Sequence, residues 1–255
     1  LGDDCGGGGG GGGDGSVASI HVSINKVVVD GVGFGKQDAD GLRVDDRNEG
    51  DIIFEAHNSR FINVGADGIE LDEGNLGDVK VDMCNVTFEG NGAYCLEGPF
   101  IAGDPCDDDG DPDVDDAFDI DEAGPGNVLG KMANLTMTNN HDEGLDFDEE
   151  NDGGFDIELI NVHAENNEDE GIKVSEENSG DINVSVRNAT LQLNNGDKEG
   201  IEIEEADDGH LAVRIVGSTV LEKVKIEEDG GGAGTVKVRD SSIEELDLSE
   251  DISQL

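Results

Sequence analysis

Residues 155–176 read FDIELINVHAENNEDEGIKVSE, and this stretch decides the fold. Its apolar residues alternate with polar ones, which is the pattern of a half-buried β-strand. Asn161 in this stretch has counterparts at Asn134 and Asn188, each 27 residues away. A constant period with strand-type alternation predicts an all-β solenoid in which each repeat forms one coil.

Each repeat contains three short alternating runs, so we expect three strands per coil joined by tight polar corners, as in a parallel β-helix. An asparagine column marks one corner and predicts about eight coils, with side chains that point inwards and bond to the next coil. A second corner carries a glycine before each apolar pair, where we expect positive φ. The asparagine column contains Asn25, Asn58, Asn85, Asn134, Asn161, Asn188, Gly217 and Asp240, and the glycines are Gly41, Gly68, Gly144, Gly171 and Gly200.

The asparagine column and the repeated Asp/Glu-Gly-apolar-x-apolar unit resemble those of right-handed parallel β-helix proteins, the pectin-lyase-like superfamily. The resemblance covers residues 16–255 and implies the fold, but not the function, because the superfamily includes lyases, hydrolases, epimerases, tailspikes and adhesins. For a lyase it implies Ca²⁺ on acidic residues and a basic residue as catalyst. Lys173 is the candidate for that catalytic role, and its alternative role is to neutralise Asp146 and Glu202.

Two segments interrupt the period. Residues 1–15 form a Gly-rich N-terminal arm ahead of the β-helix of residues 16–255, and this arm is either a tether or an assembly strand. The second is an acidic loop insertion that we place at about residues 92–115, because Asn85 and Asn134 are 49 residues apart instead of 27.

The insertion carries carboxylates on both sides of Gly110, and carboxylates around a glycine turn supply the hard oxygen ligands that Ca²⁺ prefers. We therefore predict Ca²⁺ as the cofactor. The alternative is a solvated acidic loop. The predicted ligands of the insertion are Asp107, Asp109, Asp111, Asp113 and Asp116.

Acidic residues also stack in columns along the coils. Carboxylates about 4.8 Å apart repel one another, so divalent cations, high salt or raised pKa values must offset the repulsion. We assign Asp119, Asp121, Asp146 and Asp148 as further calcium ligands. The columns are Glu70, Asp119, Asp146, Lys173, Glu202; then Asp72, Asp121, Asp148, Ser175, Glu204; and Glu73, Glu122, Glu149, Glu176, Glu205.

Composition limits the partners and the compartment. A formal net charge of −48 excludes nucleic acid and anionic lipid as partners, and no apolar run is long enough for a membrane span. The four cysteines favour an extracellular or cell-surface protein. We favour the disulfides Cys95–Cys106 and Cys5–Cys84, and four free thiols remain the alternative.

No catalytic motif stands out, and one Tyr with no Trp gives little aromatic surface for stacking on sugars. Both terminal coils are apolar and strand-like, without a capping helix. We therefore expect a calcium-binding structural solenoid that assembles head to tail into a filament or surface layer. The alternatives are a calcium-dependent polysaccharide lyase or another carbohydrate-active enzyme, and a tethered adhesin with a polysaccharide partner.

Overall fold

The computed structural model describes residues 18–93, 115–194 and 199–255, and these residues form 21 β-strands and no helix. Neighbouring strands pair in parallel and belong to one continuous sheet. The expected all-β parallel solenoid is therefore confirmed. The N-terminal arm and most of the insertion lie outside the described residues, as do Cys5, Cys95, Cys106, Asp107, Asp109, Asp111 and Asp113.

The strands form three stacks, one strand of each coil per stack. The first stack contains β1 (Ile20–Asn25), β4 (Ile52–His57), β7 (Val79–Glu89), β9 (Asn127–Thr138), β11 (Gly154–Ile160), β14 (Ile182–Arg187), β17 (His210–Val216), β19 (Ala233–Arg239) and β21 (Ile252–Gln254). The second stack contains β2 (Val28–Asp30), β5 (Arg60–Ile62), β12 (His163–Glu165), β15 (Thr190–Gln192), β18 (Thr219–Glu228) and β20 (Ser242–Leu248), with the C-terminal halves of β7 and β9.

The third stack contains β3 (Arg43–Asp46), β6 (Ile69–Glu73), β8 (Phe118–Glu122), β10 (Asp146–Glu149), β13 (Ile172–Glu176) and β16 (Glu199–Glu205), with the C-terminal halves of β18 and β20. Side chains bonded across neighbouring coils are 27 residues apart in the central coils and 49 apart across the insertion. The insertion lies between Gly92 and Asp115, and the Asp115 N–H donates to the Gly92 carbonyl at 3.4 Å.

The core fills the space between the three stacks with aliphatic side chains from every coil. A row of phenylalanines runs through it, with ring centroids 5.5 Å apart for Phe61 and Phe88 and 6.1 Å apart for Phe88 and Phe118. Phe147 continues the row edge-on to Phe118 at 5.2 Å. Burial of one such side chain contributes about 1.5–3 kcal/mol, so the core holds the coils together despite the surface charge.

The asparagine corner exists, but its side chains point outwards, so the predicted inward orientation is wrong. Asn161 donates from Nδ2 to Asn134 Oδ1 at 3.0 Å, and both side chains are exposed. The corner residues have positive φ, and the first of them is Lys26 (φ 60°) instead of the predicted Asn25. The left-handed conformation turns the side chain away from the core. The eight corner residues are Lys26, Asn58, Asn85, Asn134, Asn161, Asn188, Gly217 and Asp240.

The buried asparagine ladder lies six residues further along. Asn140 and its neighbours are at most 2 % exposed, and Asn140 Nδ2 donates to Asn167 Oδ1 at 2.7 Å. The side-chain oxygens of Asn140, Asn167 and Asn194 also accept the backbone N–H of the ladder residue in the preceding coil. This ladder therefore satisfies polar groups inside the solenoid. It consists of Asn91, Asn140, Asn167 and Asn194, and ends on Glu222.

The glycines before each apolar pair do not adopt positive φ, so this expectation is also wrong. Close packing explains them instead. A Cβ on Gly144 would lie 2.5 Å from the carbonyl oxygen of Gly171, and one on Gly41 would lie 2.5 Å from that of Gly68. The close approach of successive coils therefore favours glycine at Gly41, Gly68 and Gly144, while Ala117 occupies the equivalent position in one coil.

Candidate functional site: an acidic face

The outward side chains of β6, β8 and β10 form a surface that we call the acidic face. Strand pairing places Asp119 beside Asp146, and Asp121 beside Asp148. The same pairing places these aspartates next to the outward acids of β6. The structure thus brings together four of the predicted calcium ligands. The acidic face consists of Glu70, Asp72, Asp119, Asp121, Asp146 and Asp148.

Basic residues flank this face at both ends. Arg43 on β3 lies 2.6 Å from Glu70 and 3.1 Å from Asp72, and Arg47 also pairs with Asp72. At the other end, Lys173 on β13 donates to Asp146 at 2.6 Å and to Glu143 at 3.2 Å. Within the described residues, no ion pair reaches Asp119, Asp121 or Asp148, so these acids in the middle of the face have no direct cationic partner.

A second acidic row borders the face at the corner before the third stack, and the sequence analysis did not assign most of it to the site. Asp67 accepts the N–H of Asp116 at 2.7 Å, and Asp116 accepts the N–H of Glu143 at 2.8 Å. These residues occupy the acidic position before each corner glycine or its Ala117 replacement. The repeated Asp/Glu-Gly unit of the sequence marks this row.

Oxygen atoms of these acids converge in several places. Carboxylate oxygens of Glu70, Asp119 and Asp121 lie within 4.8 Å of one another, and those of Asp116, Asp142 and Glu143 do so as well. A shell of oxygen ligands from carboxylates is what Ca²⁺ selects. The arrangement can therefore hold a divalent cation in the gap between neighbouring coils.

Burial and mutual repulsion raise the pKa values of these acids. Burial is the first cause for Asp119, followed by the charge of Asp121, and together they raise its pKa well above the usual range. Burial followed by the charges of Asp148 and Glu143 raises the pKa of Asp146 to about 7, although Lys173 opposes this. Burial also raises the pKa of Asp148 to about 6. A bound cation would reverse these shifts because it favours the ionised form.

Asp146 carries the clearest sign of a missing partner. The residue is 8 % exposed, and while Oδ2 accepts from Lys173, its Oδ1 is buried without a hydrogen-bond donor. A buried carboxylate oxygen without a donor is expensive to maintain. Coordination to a cation shared with a neighbouring carboxylate of the face would satisfy it, and the acids whose charges act most strongly on Asp146 are Asp148 and Glu143.

Lys173, the alternative catalytic residue, lies inside this cluster. Burial alone would lower its pKa, but Asp146 and Glu143 raise it above the ordinary value for lysine. The ammonium group therefore stays protonated. Its contacts agree with the role of neutralising its neighbours, although the predicted partner Glu202 instead pairs with Lys225 at 2.7 Å.

The third predicted acidic column does not belong to the face. Glu122 and its equivalents point into the solenoid and are at most 3 % exposed. Strand alternation explains this, since Asp121 points outwards and the next residue must point inwards. We call this set the buried carboxyl column; its members are Asp46, Glu73, Glu122, Glu149, Glu176, Glu205 and Glu228.

Cys84 is the one predicted disulfide cysteine within the described residues. It is partly buried at the end of the first stack, and Asn134 Nδ2 lies 3.8 Å from its Sγ. The Cys84 sulfur therefore takes the place of the side-chain oxygen that one corner asparagine offers to the next. The pairing with Cys5 and the Cys95–Cys106 pairing stay predictions, because the three other cysteines lie outside the described residues.

Comparison of the chain with protein families, with curated proteins and with solved structures gives no match. In the described residues, no helix has the length and apolar character needed to cross a membrane. Fold and site together define a parallel β-solenoid with a carboxylate-rich face.

Proposed function

We propose that this protein is an extracellular structural β-solenoid whose acidic face binds Ca²⁺. The observation that carries the proposal is the buried Oδ1 of Asp146, which has no donor although it lies among stacked carboxylates. Calcium between β8 and β10 would link two coils through their side chains and remove their repulsion. The cation would then serve as a structural clamp, because binding to the folded state stabilises that state by mass action.

The test is a calcium titration of chelator-treated protein, followed by calorimetry and by thermal unfolding. We expect saturable binding and a higher Tm; at a calcium concentration about 100 times Kd the gain is about 2.7 kcal/mol per site. Asp146→Asn and Asp119→Asn should abolish most of this gain. Asp82→Asn, which makes the same change at an exposed aspartate of β7, is the matched control.

Sodium chloride provides the second control. The net charge of −48 predicts that any salt stabilises the protein gradually by screening. Calcium should act at a far lower concentration and should saturate. If sodium chloride at equal ionic strength reproduces the calcium effect, the acidic face is an adaptation to salt and the calcium proposal fails.

End-to-end assembly is the second part of the proposal, and strand edges support it. Among the described strands, β1 pairs on one edge with β4, and β21 pairs on one edge with β19. Ile20, Val22 and Ile24 of β1 are only partly buried against the core. Exposed strand edges with apolar side chains are templates for further strand pairing. The lysines near the C-terminal end offer little free positive charge to an acidic neighbour, since Lys223 pairs with Glu199 and Lys225 pairs with Glu202.

Electron microscopy with calcium and then with chelator tests the assembly. Fibres that loosen on chelation would support both parts of the proposal. Dispersed monomers at high protein concentration in both conditions would contradict the assembly part of the proposal. Calcium binding would then be tested by the titration alone.

We further infer that the solenoid is of the right-handed, pectin-lyase-like type. Three strands per coil and stacked corner asparagines support this, as does the strong preference of parallel crossovers for the right hand. An experimental structure with left-handed coils would contradict it. If the calcium proposal also fails, incubation with acidic polysaccharides, read by the unsaturated product, tests the lyase alternative.

A further inference from the structure

The buried carboxyl column runs along the inside of the corner where each third-stack strand ends. Its seven members are paired in register from Asp46 to Glu228. Each is at most 3 % exposed, which is far less than is normal for acidic residues. Such a column needs a partner for every oxygen, because buried polar atoms without one are strongly destabilising.

One oxygen of each glutamate has an evident role. Glu205 Oε1 accepts the N–H groups of Asp207 and Gly209 at 3.2 and 2.9 Å, and so holds the following turn. In the next coil, Glu228 Oε1 accepts the N–H of Gly232 at 3.0 Å in the same way. The second oxygen of Glu205 and that of Glu228 are buried and have no protein donor.

The two carboxyl groups have each other as neighbours. Glu205 and Glu228 are register partners on the neighbouring parallel strands β16 and β18, both side chains are buried, and each keeps one buried oxygen without a donor. Two ionised carboxylates in this position would repel and would leave both free oxygens unsatisfied. One proton between them turns the repulsion into a hydrogen bond of the charge-assisted kind.

We propose that Glu205 and Glu228 form a buried proton-binding site, in which one proton is shared between the two carboxyl groups and holds the last coils together. Loss of the proton to water leaves two adjacent carboxylates and opens the contact between these coils. The ligand is the proton itself, and the site is separate from the acidic face on the outer surface.

The surroundings of the pair contain no compensating cation. On β13, Glu176 continues the column, and beyond β20 the Ser249 hydroxyl accepts the N–H of Glu228. The other charged neighbours are exposed acids of the adjoining turns, Asp207, Asp208 and Asp229. In the described part of the chain, neither Glu205 nor Glu228 takes part in an ion pair. Burial, then the bond and charge of Glu205, raise the pKa of Glu228 to about 7.

The direction of the pH effect follows from this raised pKa. The folded state holds the proton more tightly than the unfolded chain, where glutamate has a pKa of about 4.3. The stabilisation is therefore complete in mild acid and is lost as the pH rises towards about 7. The C-terminal coils should loosen first, because each coil of a solenoid is held by its neighbours.

The test compares urea unfolding of the wild-type chain and Glu228→Gln at about pH 5 and about pH 8, with chelator and constant high salt. Glutamine keeps the shape and donates permanently, so the variant should lose the pH dependence of this site. We expect the folding equilibrium constant of the wild type to fall about tenfold or more relative to the variant. Glu227→Gln is the matched control, since this neighbour points outwards and pairs with Lys225 at 2.8 Å.

Infrared difference spectra give a second measurement that does not depend on unfolding. The wild type should show a protonated carboxyl band at about pH 6 that is missing in Glu228→Gln, and Glu205→Gln should remove it too if the first variant fails to fold. An identical pH dependence in wild type and variant, or no protonated carboxyl band assigned to this pair, would overturn the proposal. A response to added sodium or calcium in place of pH would also overturn it.

Discussion

At the scale of single residues, the second corner of the coil contains one residue that does not suit its conformation. Asn139, Asn166 and Leu193 follow one another at this corner with φ of 57°, 59° and 62°. Asparagine tolerates the left-handed region, but a leucine is strained there by about 1 kcal/mol or more. Leu193 is also 65 % exposed, so it gains little from packing.

We therefore predict that Leu193→Asn raises the free energy of unfolding by about 0.5–1 kcal/mol, as measured by urea denaturation. Leu221→Asn is the control, because Leu221 is also exposed but does not have positive φ. A loss of stability in Leu193→Asn would mean that the side chain makes an unrecognised favourable contact.

Asn140 is a second residue with a testable role. Its Oδ1 accepts both the N–H and the Nδ2 of Asn91 at 3.1 Å, and its own Nδ2 donates to Asn167. Asn140→Ala would leave several buried groups without partners, so the free energy of unfolding should fall by about 2–4 kcal/mol. Asn134 lies in the exposed asparagine column, where Gly217 already occupies an equivalent position. The free energy of unfolding of Asn134→Gly should therefore fall by less than about 1 kcal/mol.

At the scale of the element, the strands were predictable because their alternation is local, while the orientation of corner residues was not. The period of 27 residues follows from the recurring asparagines, and the three strands per coil follow from the apolar spacing. Asn161 and Asn167 both recur with that period, and nothing in the pattern says which of them turns inwards. The φ angle decides it, and φ depends on how the coils stack.

The acidic columns were likewise predictable only in part from the sequence. Strand alternation was sufficient to separate Asp121 from Glu122, and we applied it to the apolar residues but not to the acids. The surroundings of Asp146 could not be derived in full, because Lys173 of the next coil joins Asp146 to Glu143, which lies at the corner. Spacing predicts neighbouring rows, but it does not predict which oxygen lacks a donor.

Close approach of the corners gives an element-scale prediction. A Cβ on Gly180 would lie 1.4 Å from the carbonyl oxygen of Gly153 and 2.9 Å from Glu176 Oε1. Gly180→Ala must therefore push two coils apart, and we expect a loss of about 3 kcal/mol or more in urea unfolding. In Gly130→Ala, the new Cβ would lie 2.9 Å from the movable end of Met132, so the free energy of unfolding should fall by only about 1 kcal/mol. Equal losses in the two variants would contradict the role assigned to the corner.

At the scale of the whole molecule, the raised pKa values set the pH dependence of stability. Burial and neighbouring carboxyls raise the pKa of Glu122 to about 10, whereas burial followed by amide donors and Glu149 leaves that of Glu176 at about 8. The folded protein thus binds more protons than the unfolded chain above about pH 4.5. Without calcium, its stability should fall as the pH rises from about 5 to 8.

Thermal unfolding in chelator across this range measures the effect, and added calcium should reduce it by favouring the ionised acids of the outer face. A Tm that increases from about pH 5 to 8 without calcium would contradict the prediction. It would mean that other carboxylates, whose pKa values are lowered by contacts such as that of Asp51 with Lys80, control the stability of the molecule.

The in-register stacking of the central coils also makes length an adjustable property. Both asparagine ladders and the inner glutamates repeat at the same 27-residue interval between β9 and β15. Duplication of that many residues in the gene would add a coil whose every polar group finds its usual partner above and below. An insertion of another size would break this register, and the one in this chain is placed between Gly92 and Asp115, whose backbones bond to each other. A lineage could therefore lengthen or shorten this molecule by whole coils without redesigning its interior.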